Sequence, residues 1–545
     1  MMNRYQISTP EGTRDLLFGP ARRLRTVEQR VRQSLESRGY SEVITPAVEF
    51  YDVFAQANPT VGQENMLKII DRSGRICVAR PDNTTPIARI AATRLEGAEL
   101  PVRLYYSQKV FRSVSEGHGH KSEFLQVGAE LIGADGLEAD LDILTAAFHA
   151  LEQAESGNFR IELGHAEIYK ALIEALGVDA QTAESIRRLI ENKSFAALGD
   201  ALAPYQGSAA YQALCAMPQL FGGIEVLDQV EHMTGNMRVL AAVAYLRRVY
   251  TALEQAGFGE SVIIDLGLVH EMDYYTGIMF RGYLGGAGAA ILSGGRYNAL
   301  CAKFGRDLPA AGFGIDVERI AETGGADEQK PVRNTIRMAL TKGRLEKKTL
   351  ARMKAAGYDV SELESPSRKL IFRLPDSDIE VVLAKAADVI TYVEHGVCDL
   401  GVVGKDTIME KGGTFYEVAD LGFGRCRFAL AALKGTDIYQ GYRTRTIASK
   451  YMNVAKSFFE GKNMDVDLVK IEGSVELAPV LGLADAIVDI VETGTTLREN
   501  GLEVIEDICQ VSARLIVNIA SMKLRKKEIE ELIGKVEKDV KERRG

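Results

Sequence analysis

One interruption near the middle constrains this chain more than any other feature. Residues Glu322–Arg333 read ETGGADEQKPVR, with a Gly-Gly pair, several charges, a proline and no periodic apolar pattern. That is the composition of an interdomain linker. Thr335–Leu340 (TIRMAL) then reads as a fresh first strand, and the βα rhythm beyond it does not resemble the first half. The chain has 545 residues, which at roughly 150 residues per domain predicts three or four domains. No internal repeat or low-complexity tract is visible.

Hydrophobic residues make up 46% and charged residues 26%, the balance of a globular protein. A collagen-like, mucin-like or mainly disordered chain is excluded. The most apolar stretches, such as Ala478–Val491, carry Asp485 and Asp489, so no membrane-spanning helix is expected. The N-terminal MMNRYQISTPEGTRD lacks the apolar core of a secretory signal. The six cysteines (77, 215, 301, 398, 426 and 509) are scattered without Cys-x-x-Cys spacing. Neither a disulfide scaffold nor a structural zinc site is indicated, and a cytoplasmic location is expected. The net charge of −9 and pI near 5.6 argue against a dominant nucleic-acid footprint. Fifty-two glycines against fourteen prolines fit tight βα turns.

In the first half, Leu24, Val27, Val31 and Leu35 mark one face of a helix ended by Gly39. Val43-Ile44-Thr45-Pro46 reads as a strand, residues 140–260 as mostly helical, and Val262–Leu266, Gly277–Tyr283 and Ala289–Ser293 as strands. The expectation is an antiparallel sheet with helices around it. In the second half, strand-like Val381–Leu383, Leu400–Val403, Phe428–Ala432, Asp485–Val491 and Ala513–Asn518 alternate with helical stretches, the pattern of an α/β sheet covered on both faces. Over Leu524–Arg544 a helix is expected, with Ile529, Leu532, Ile533, Val536 and Val540 on one face and a solvated basic end.

The sharpest local chemistry is Ile487–Leu497, IVDIVETGTTL. A buried strand delivers Asp489 and Glu492 to its carboxyl end, Thr493-Gly494-Thr495-Thr496 follow, and a helix can begin near Leu497. Backbone N–H groups at such a turn favour an anion, Gly494 permits close approach, and three hydroxyls add donors. The loop is neither a Walker A loop nor a Gly-x-Gly-x-x-Gly turn. Carboxylates beside a phosphate site make sense where the ligand also carries ribose hydroxyls or magnesium, as a phosphoribosyl diphosphate does. The alternative is an ordinary strand–turn–helix capped by threonine.

Further motifs carry a resemblance. They are Ala339–Leu345 (ALTKGRL), Ser367–Phe372 (SRKLIF), Asp388–Asp406 (DVITYVEHGVCDLGVVGKD), Leu421–Phe428 (LGFGRCRF) and Gly473–Leu502 (GSVELAPVLGLADAIVDIVETGTTLRENGL). With them, residues 334–545 resemble the catalytic subunit of ATP phosphoribosyltransferase. The resemblance implies a two-lobed, periplasmic-binding-protein-like α/β fold, lobe one about 334–425 plus 510–545 and lobe two about 426–509, with the site in the cleft. It implies transfer of phosphoribosyl from phosphoribosyl diphosphate to N1 of ATP, the first step of histidine biosynthesis. Thr493, Gly494, Thr495 and Thr496 are expected to hold the 5-phosphate, with Glu492 alongside, and Glu476 and Asp489 to lie near ribose hydroxyls or Mg2+, for which Asp489 is the candidate ligand. Arg368 and Lys385 are candidates for the leaving diphosphate, and Lys342 and Arg344 for another phosphate. Many relatives have arginine where Lys385 stands, and lysine supplies charge without the bidentate fork.

In residues 1–325, the segments Pro10–Asp15 (PEGTRD), Arg80–Thr84 (RPDNT), Phe111–Glu130, Asp273–Gly277 (DYYTG), Gly294–Tyr297 (GGRY) and Gly312–Arg319 (GFGIDVER) resemble class II aminoacyl-tRNA synthetases, histidyl-tRNA synthetase most closely. The departures are in the adenylation machinery. Arg112 is kept, but Val114 and Ser115 replace a Glu-Arg pair, His120 and Ser122 replace later arginines, and His270-Glu271 replaces Arg-Gly. No anticodon-binding domain is expected. By the resemblance, Asp82, Thr84, Gln126, Glu130, Tyr274 and Tyr275 match positions lining a histidine pocket, with Asp82 and Gln126 on the ammonium and Glu130 reading the imidazole. A histidine pocket without adenylation chemistry resembles the regulatory subunit of short-form ATP phosphoribosyltransferase.

The chain is therefore read as a fusion: a regulatory domain at 1–325 that activates the enzyme and relays histidine inhibition, a linker at 326–333 and a catalytic domain at 334–545. A homo-oligomer is expected, a tetramer by analogy, with no tRNA and no membrane partner. An aminoacylating protein with an appended domain is the alternative, and histidine-dependent ATP–diphosphate exchange would support it. A non-catalytic solute-binding module predicts export and leaves the ETGTT turn unexplained.

Overall fold

The computed structural model describes residues 7–57, 66–113, 121–154, 158–269, 275–323, 334–365, 368–375 and 377–541. The chain divides into two compact units at Val332/Arg333.

The first unit is built on a nine-stranded sheet. Its central strands Val102–Phe111, Glu123–Ile132, Ala310–Asp316, Ala290–Arg296, Ile278–Leu284 and Phe159–His165 pair antiparallel in that order. The pleat sends alternate residues to opposite faces. Val127, Ala129, Leu131, Phe313 and Ile315 join one core with helices Phe18–Glu36 and Leu137–Ala154. There Val31 and Leu35 are fully buried, each worth about 2 kcal/mol by area. The opposite face carries Tyr106, Gln126, Gly128 and Glu130, and it holds the polar site.

Two expectations are corrected in this unit. The span 140–260 is mostly helical but also holds two strands: the short Phe221–Gly222 at the sheet's edge, and Phe159–His165, which lies inside the sheet between Ile278–Leu284 and Val262–Asp265. Ala/Leu-rich helices on both sides hide it in the sequence. Val43–Pro46 is not a strand; the strand is Ser41–Glu42, parallel to Val102–Phe111. Thr45 instead gives its carbonyl to Arg80 at 2.7 Å and its hydroxyl to Gln108 at 3.0 Å, and Pro46 has no N–H to pair. The helix Val317–Thr323 runs through Glu322, and the rest of the expected linker, 324–333, lies outside the described residues. A separate three-stranded sheet, Val48–Phe50, Ile76–Ala79 and Lys68–Ile70, exposes Val48, Phe50 and Ile69.

The second unit has two sheets. Six strands run in the order Ile371–Arg373, Ile379–Ala384, Ile336–Thr341, Leu400–Gly404, Ala513–Val517, Tyr416–Asp420. Five run in the order Val466–Lys470, Arg445–Ser449, Ala486–Val491, Cys426–Leu433, Leu502–Val511. The chain crosses between them twice, through 421–425 and through Ser512. The crossings are stitched together: Leu421 N–H donates to the Ala513 carbonyl at 2.9 Å, Ala513 N–H to the Phe423 carbonyl at 2.9 Å, and Ser512 Oγ to Asp420 Oδ1 at 2.7 Å. Helix Lys526–Lys541 is preceded by a separate short helix, Ile519–Leu524, so the expected tail helix begins later than Leu524. No helix among the described residues is long and apolar enough to cross a membrane.

Candidate functional site

In the second unit, both sheets deliver loops to one crevice. Ile336–Thr341, Ile379–Ala384 and Leu400–Gly404 are parallel, so Lys342, Lys385 and Asp406 emerge from neighbouring carboxyl ends. Ile371 pairs with Val382, and Leu383 N–H donates to the Leu370 carbonyl at 2.8 Å; continued, this register sets Arg368 beside Lys385. Three of the expected cations, Lys342, Arg368 and Lys385, thus share one exposed edge. In the other sheet Arg445–Ser449, Val466–Lys470 and Ala486–Val491 are also mutually parallel. Their carboxyl ends lead to Lys450 and Tyr451, to Glu476, and to Glu492–Thr496. Since both chain crossings leave from these same edges, the edges face each other, the usual place for a ligand in α/β sheets.

Contacts join the edges. Arg344 Nη1 donates to Glu492 Oε2 at 2.6 Å, and Tyr451 OH donates to Asp406 Oδ2 at 3.3 Å. In the ETGTT turn Gly494 has φ +71°, a left-handed conformation that side-chain-bearing residues resist. Thr493 Oγ1 and Thr495 Oγ1 lie 3.1 Å apart, and Thr495 N–H points at Thr493 Oγ1 at 3.4 Å. The short helix begins at Thr495, two residues before the expected Leu497. Arg498, not singled out from the sequence, donates to Thr495 Oγ1 at 3.2 Å and adds a cation to the turn. Its spacing of three residues from Thr495 on a helix was the available signal.

Asp489 is half-buried, and burial raises its pKa; Glu476 nearby raises it further, while the Ile490 N–H bond and Lys450 oppose the rise. Two neighbouring carboxylates of this kind suit a ligand that brings hydroxyls or a cation. Among the described residues no three His, Cys, Asp or Glu side chains gather into a metal-holding group.

In the first unit, Glu130 is fully buried. It accepts from Thr84 Oγ1 at 2.7 Å and from the Tyr297 hydroxyl. Burial outweighs both bonds and pushes its carboxyl up to about 8. Gln126 Oε1 accepts from Asn83 Nδ2 at 3.2 Å and Tyr106 OH at 3.3 Å. Asp82 accepts from Thr85 N–H at 2.8 Å, and burial raises its pKa as well. Space for these groups comes from glycines on the adjoining strand: a Cβ at Gly312 would lie 1.6 Å from Glu130 Oε2, and one at Gly314 2.5 Å from Gln126 Nε2. Tyr275 is buried with its carbonyl accepting from Lys170 Nζ at 2.8 Å. Tyr274 and the substituted positions Val114, Ser115, His120, His270 and Glu271 lie outside the described residues. Thr84, Gln126 and Glu130 are thus joined with Asp82 on one face.

Comparison with known proteins settles the family. The histidyl-tRNA synthetase family pattern matches residues 12–320, and the ATP phosphoribosyltransferase pattern matches residues 385–538. The ATP phosphoribosyltransferase regulatory subunit of Clostridium kluyveri is 43% identical over 325 residues, 59% of this chain and 83% of that protein. The ATP phosphoribosyltransferase of the same organism is 58% identical over 207 residues, 38% of this chain and 94% of that protein. This chain belongs to the ATP phosphoribosyltransferase family, with regulatory and catalytic parts in one polypeptide. A solved structure from Bacillus halodurans, described as an ATP phosphoribosyltransferase regulatory subunit/histidyl-tRNA synthetase, superposes with a TM-score of 0.56 at 28% identity, covering 71% of this chain and 95% of its own. The first unit therefore has the class II synthetase-like fold.

The Clostridium kluyveri relative of the first unit is a regulatory subunit, which disfavours the aminoacylating alternative. Tyr297 was legible only as part of GGRY; its bond to Glu130 was not. Asn83 was likewise legible only as part of RPDNT, and Tyr106 gave no signal, because a buried tyrosine is ordinarily a packing residue.

Proposed function

We propose that residues 334–545 transfer phosphoribosyl from phosphoribosyl diphosphate to N1 of ATP within a two-lobed, periplasmic-binding-protein-like fold, and that residues 1–325 activate this reaction and impose histidine inhibition. The observation that carries the catalytic reading is the meeting, across one crevice, of the ETGTT turn with Arg344 and the edge bearing Lys342, Arg368 and Lys385. Thr493–Thr496 hold the 5-phosphate through N–H and hydroxyl donors, with Arg498 supporting the turn. The adenine N1 attacks C1 of the ribose, and the C1–O bond to diphosphate breaks. Positive charge grows on the ribose and negative charge on the leaving group, so catalysis rests on positioning and electrostatics. Asp489 and Glu476 face the ribose, and Lys385 and Arg368 receive the diphosphate. Magnesium, when bound, neutralises diphosphate charge, and Asp489 and Glu476 are the groups here that would hold it.

In the regulatory part, Asp82 receives the histidine ammonium and Glu130 reads the imidazole; Gln126, expected on the ammonium as well, has its oxygen engaged by Asn83 and Tyr106 and offers its amide N–H to the ligand's carboxylate instead. Tyr274 and Tyr275 close the pocket. The exposed apolar face of Val48, Phe50 and Ile69 supports a homo-oligomer. The setting is cytoplasmic biosynthesis, with no tRNA involved.

The test is formation of phosphoribosyl-ATP from ATP, phosphoribosyl diphosphate and magnesium, with and without histidine, on the full chain and on 334–545. No turnover by folded full-length protein refutes the catalytic reading, and turnover indifferent to millimolar histidine refutes the regulatory one.

A further inference from the structure

We propose that Glu410 is a positioning residue for phosphoribosyl transfer, setting from one sheet of the catalytic unit the turn that carries Lys450 and Tyr451 on the other. The inference rests on the transferase reading above and adds to it a residue that touches no substrate.

Glu410 lies on helix Lys405–Lys411, which leaves the carboxyl end of strand Leu400–Gly404 in the six-stranded sheet. Its carboxylate reaches helix Met452–Gly461, which follows strand Arg445–Ser449 in the five-stranded sheet. Glu410 Oε1 accepts from Met452 N–H at 2.9 Å, and Oε2 from Asn453 N–H at 2.9 Å and Val454 N–H at 3.4 Å. The contact is returned by Asn453 Nδ2, which donates to the Glu410 carbonyl at 2.7 Å.

The first N–H groups of a helix have no partner within it, and a side-chain oxygen at the preceding position usually supplies one. Here Tyr451 occupies that position and gives no side-chain cap. A carboxylate 42 residues earlier in the sequence takes the role from the opposite sheet. Its negative charge also meets the positive end of the helix dipole. The capped helix head is thereby tied to the other edge of the crevice.

The turn held this way adjoins the proposed ribose site. Tyr451 N–H donates to Ser449 Oγ at 2.8 Å, and Ser449 Oγ donates to the Val488 carbonyl at 2.6 Å, one residue before Asp489. Lys450, between Ser449 and Tyr451, is exposed. One helical turn before Glu410, Asp406 accepts from Tyr451 OH at 3.3 Å. Two carboxylates on one helix thus grip 451–454, so loss of the longer one frees the Lys450 turn relative to Asp489 and relaxes the spacing of the two edges. The cost falls on substrate binding, which needs both edges at once, more than on the chemical step.

The experiment measures KM for phosphoribosyl diphosphate, kcat and thermal unfolding for the full chain and for Glu410→Gln, Glu410→Ala and Glu410→Asp. The expected result is a KM raised about fivefold or more in Glu410→Gln and Glu410→Ala, the scale of one lost helix cap. The change in kcat stays below about twofold, on the ground that binding is lost uniformly. Glu410→Asp, which retains the charge, recovers part of the loss. Unchanged KM in folded Glu410→Gln, or a lowered unfolding temperature with KM intact, overturns the inference alone. Absence of turnover in the unsubstituted chain overturns the transferase reading and this inference with it.

Discussion

Replacing Glu130 by glutamine is expected to stabilise the regulatory unit, and by an amount that depends on pH. The carboxyl is fully buried and its pKa rises from 4.5 to about 8. Between those values the folded chain binds a proton that the unfolded chain has released. Stability from this group is complete below pH 4.5 and is lost as pH climbs toward 8, at about 1.4 kcal/mol per pH unit. At pH 7 the accumulated cost approaches about 3 kcal/mol, an upper figure because buried sites relax. Glutamine is neutral throughout and nearly isosteric, and its oxygen and amide can serve the Thr84 and Tyr297 hydroxyls. Unfolding monitored at a series of pH values between 5 and 8.5 should show the variant gaining on the parent as pH rises. The two should converge near pH 5. Parallel curves across the range would refute the claim that Glu130 is held protonated. Histidine affinity should fall in the same variant, since glutamine cannot shed a proton to become the carboxylate that accepts from the imidazole.

Other perturbations follow from the same geometry. Gly312→Ala puts a Cβ 1.6 Å from Glu130 Oε2; calorimetric titration should find histidine binding abolished, with the second unit's turnover retained. Arg344→Ala removes a pair whose partners are both more than half exposed, so the unfolding temperature should barely move, while kcat/KM should fall at least about tenfold through lost phosphate charge. Gly494→Ala forces a left-handed conformation costing about 1–2 kcal/mol, so KM for phosphoribosyl diphosphate should rise and the unfolding temperature should fall by a few degrees.

How much of this was readable in advance depended on whether a pattern was local. The strand into ETGTT, the glycine and the hydroxyls lie within eleven residues, and each constrains the backbone on its own, so the turn was legible. Lys342, Arg368 and Lys385 could be flagged one by one, but their shared edge arises from strand order and register, which no single segment encodes. Phe159–His165 was hidden because its identity as a strand is conferred by partners more than a hundred residues away. Glu410 was invisible for a similar reason: a glutamate on an exposed amphipathic helix looks like solvated charge until the opposite helix head is in place.

The strand Ala513–Val517 lies between Leu400–Gly404 and Tyr416–Asp420. As the ribosome delivers this chain, the six-stranded sheet therefore waits with a gap in its middle while the whole five-stranded sheet is made. Only when residues 513–517 emerge can one crevice edge close against the other. The regulatory unit has been synthesised long before that moment. In every newly made molecule the regulatory unit can be folded before the catalytic crevice exists.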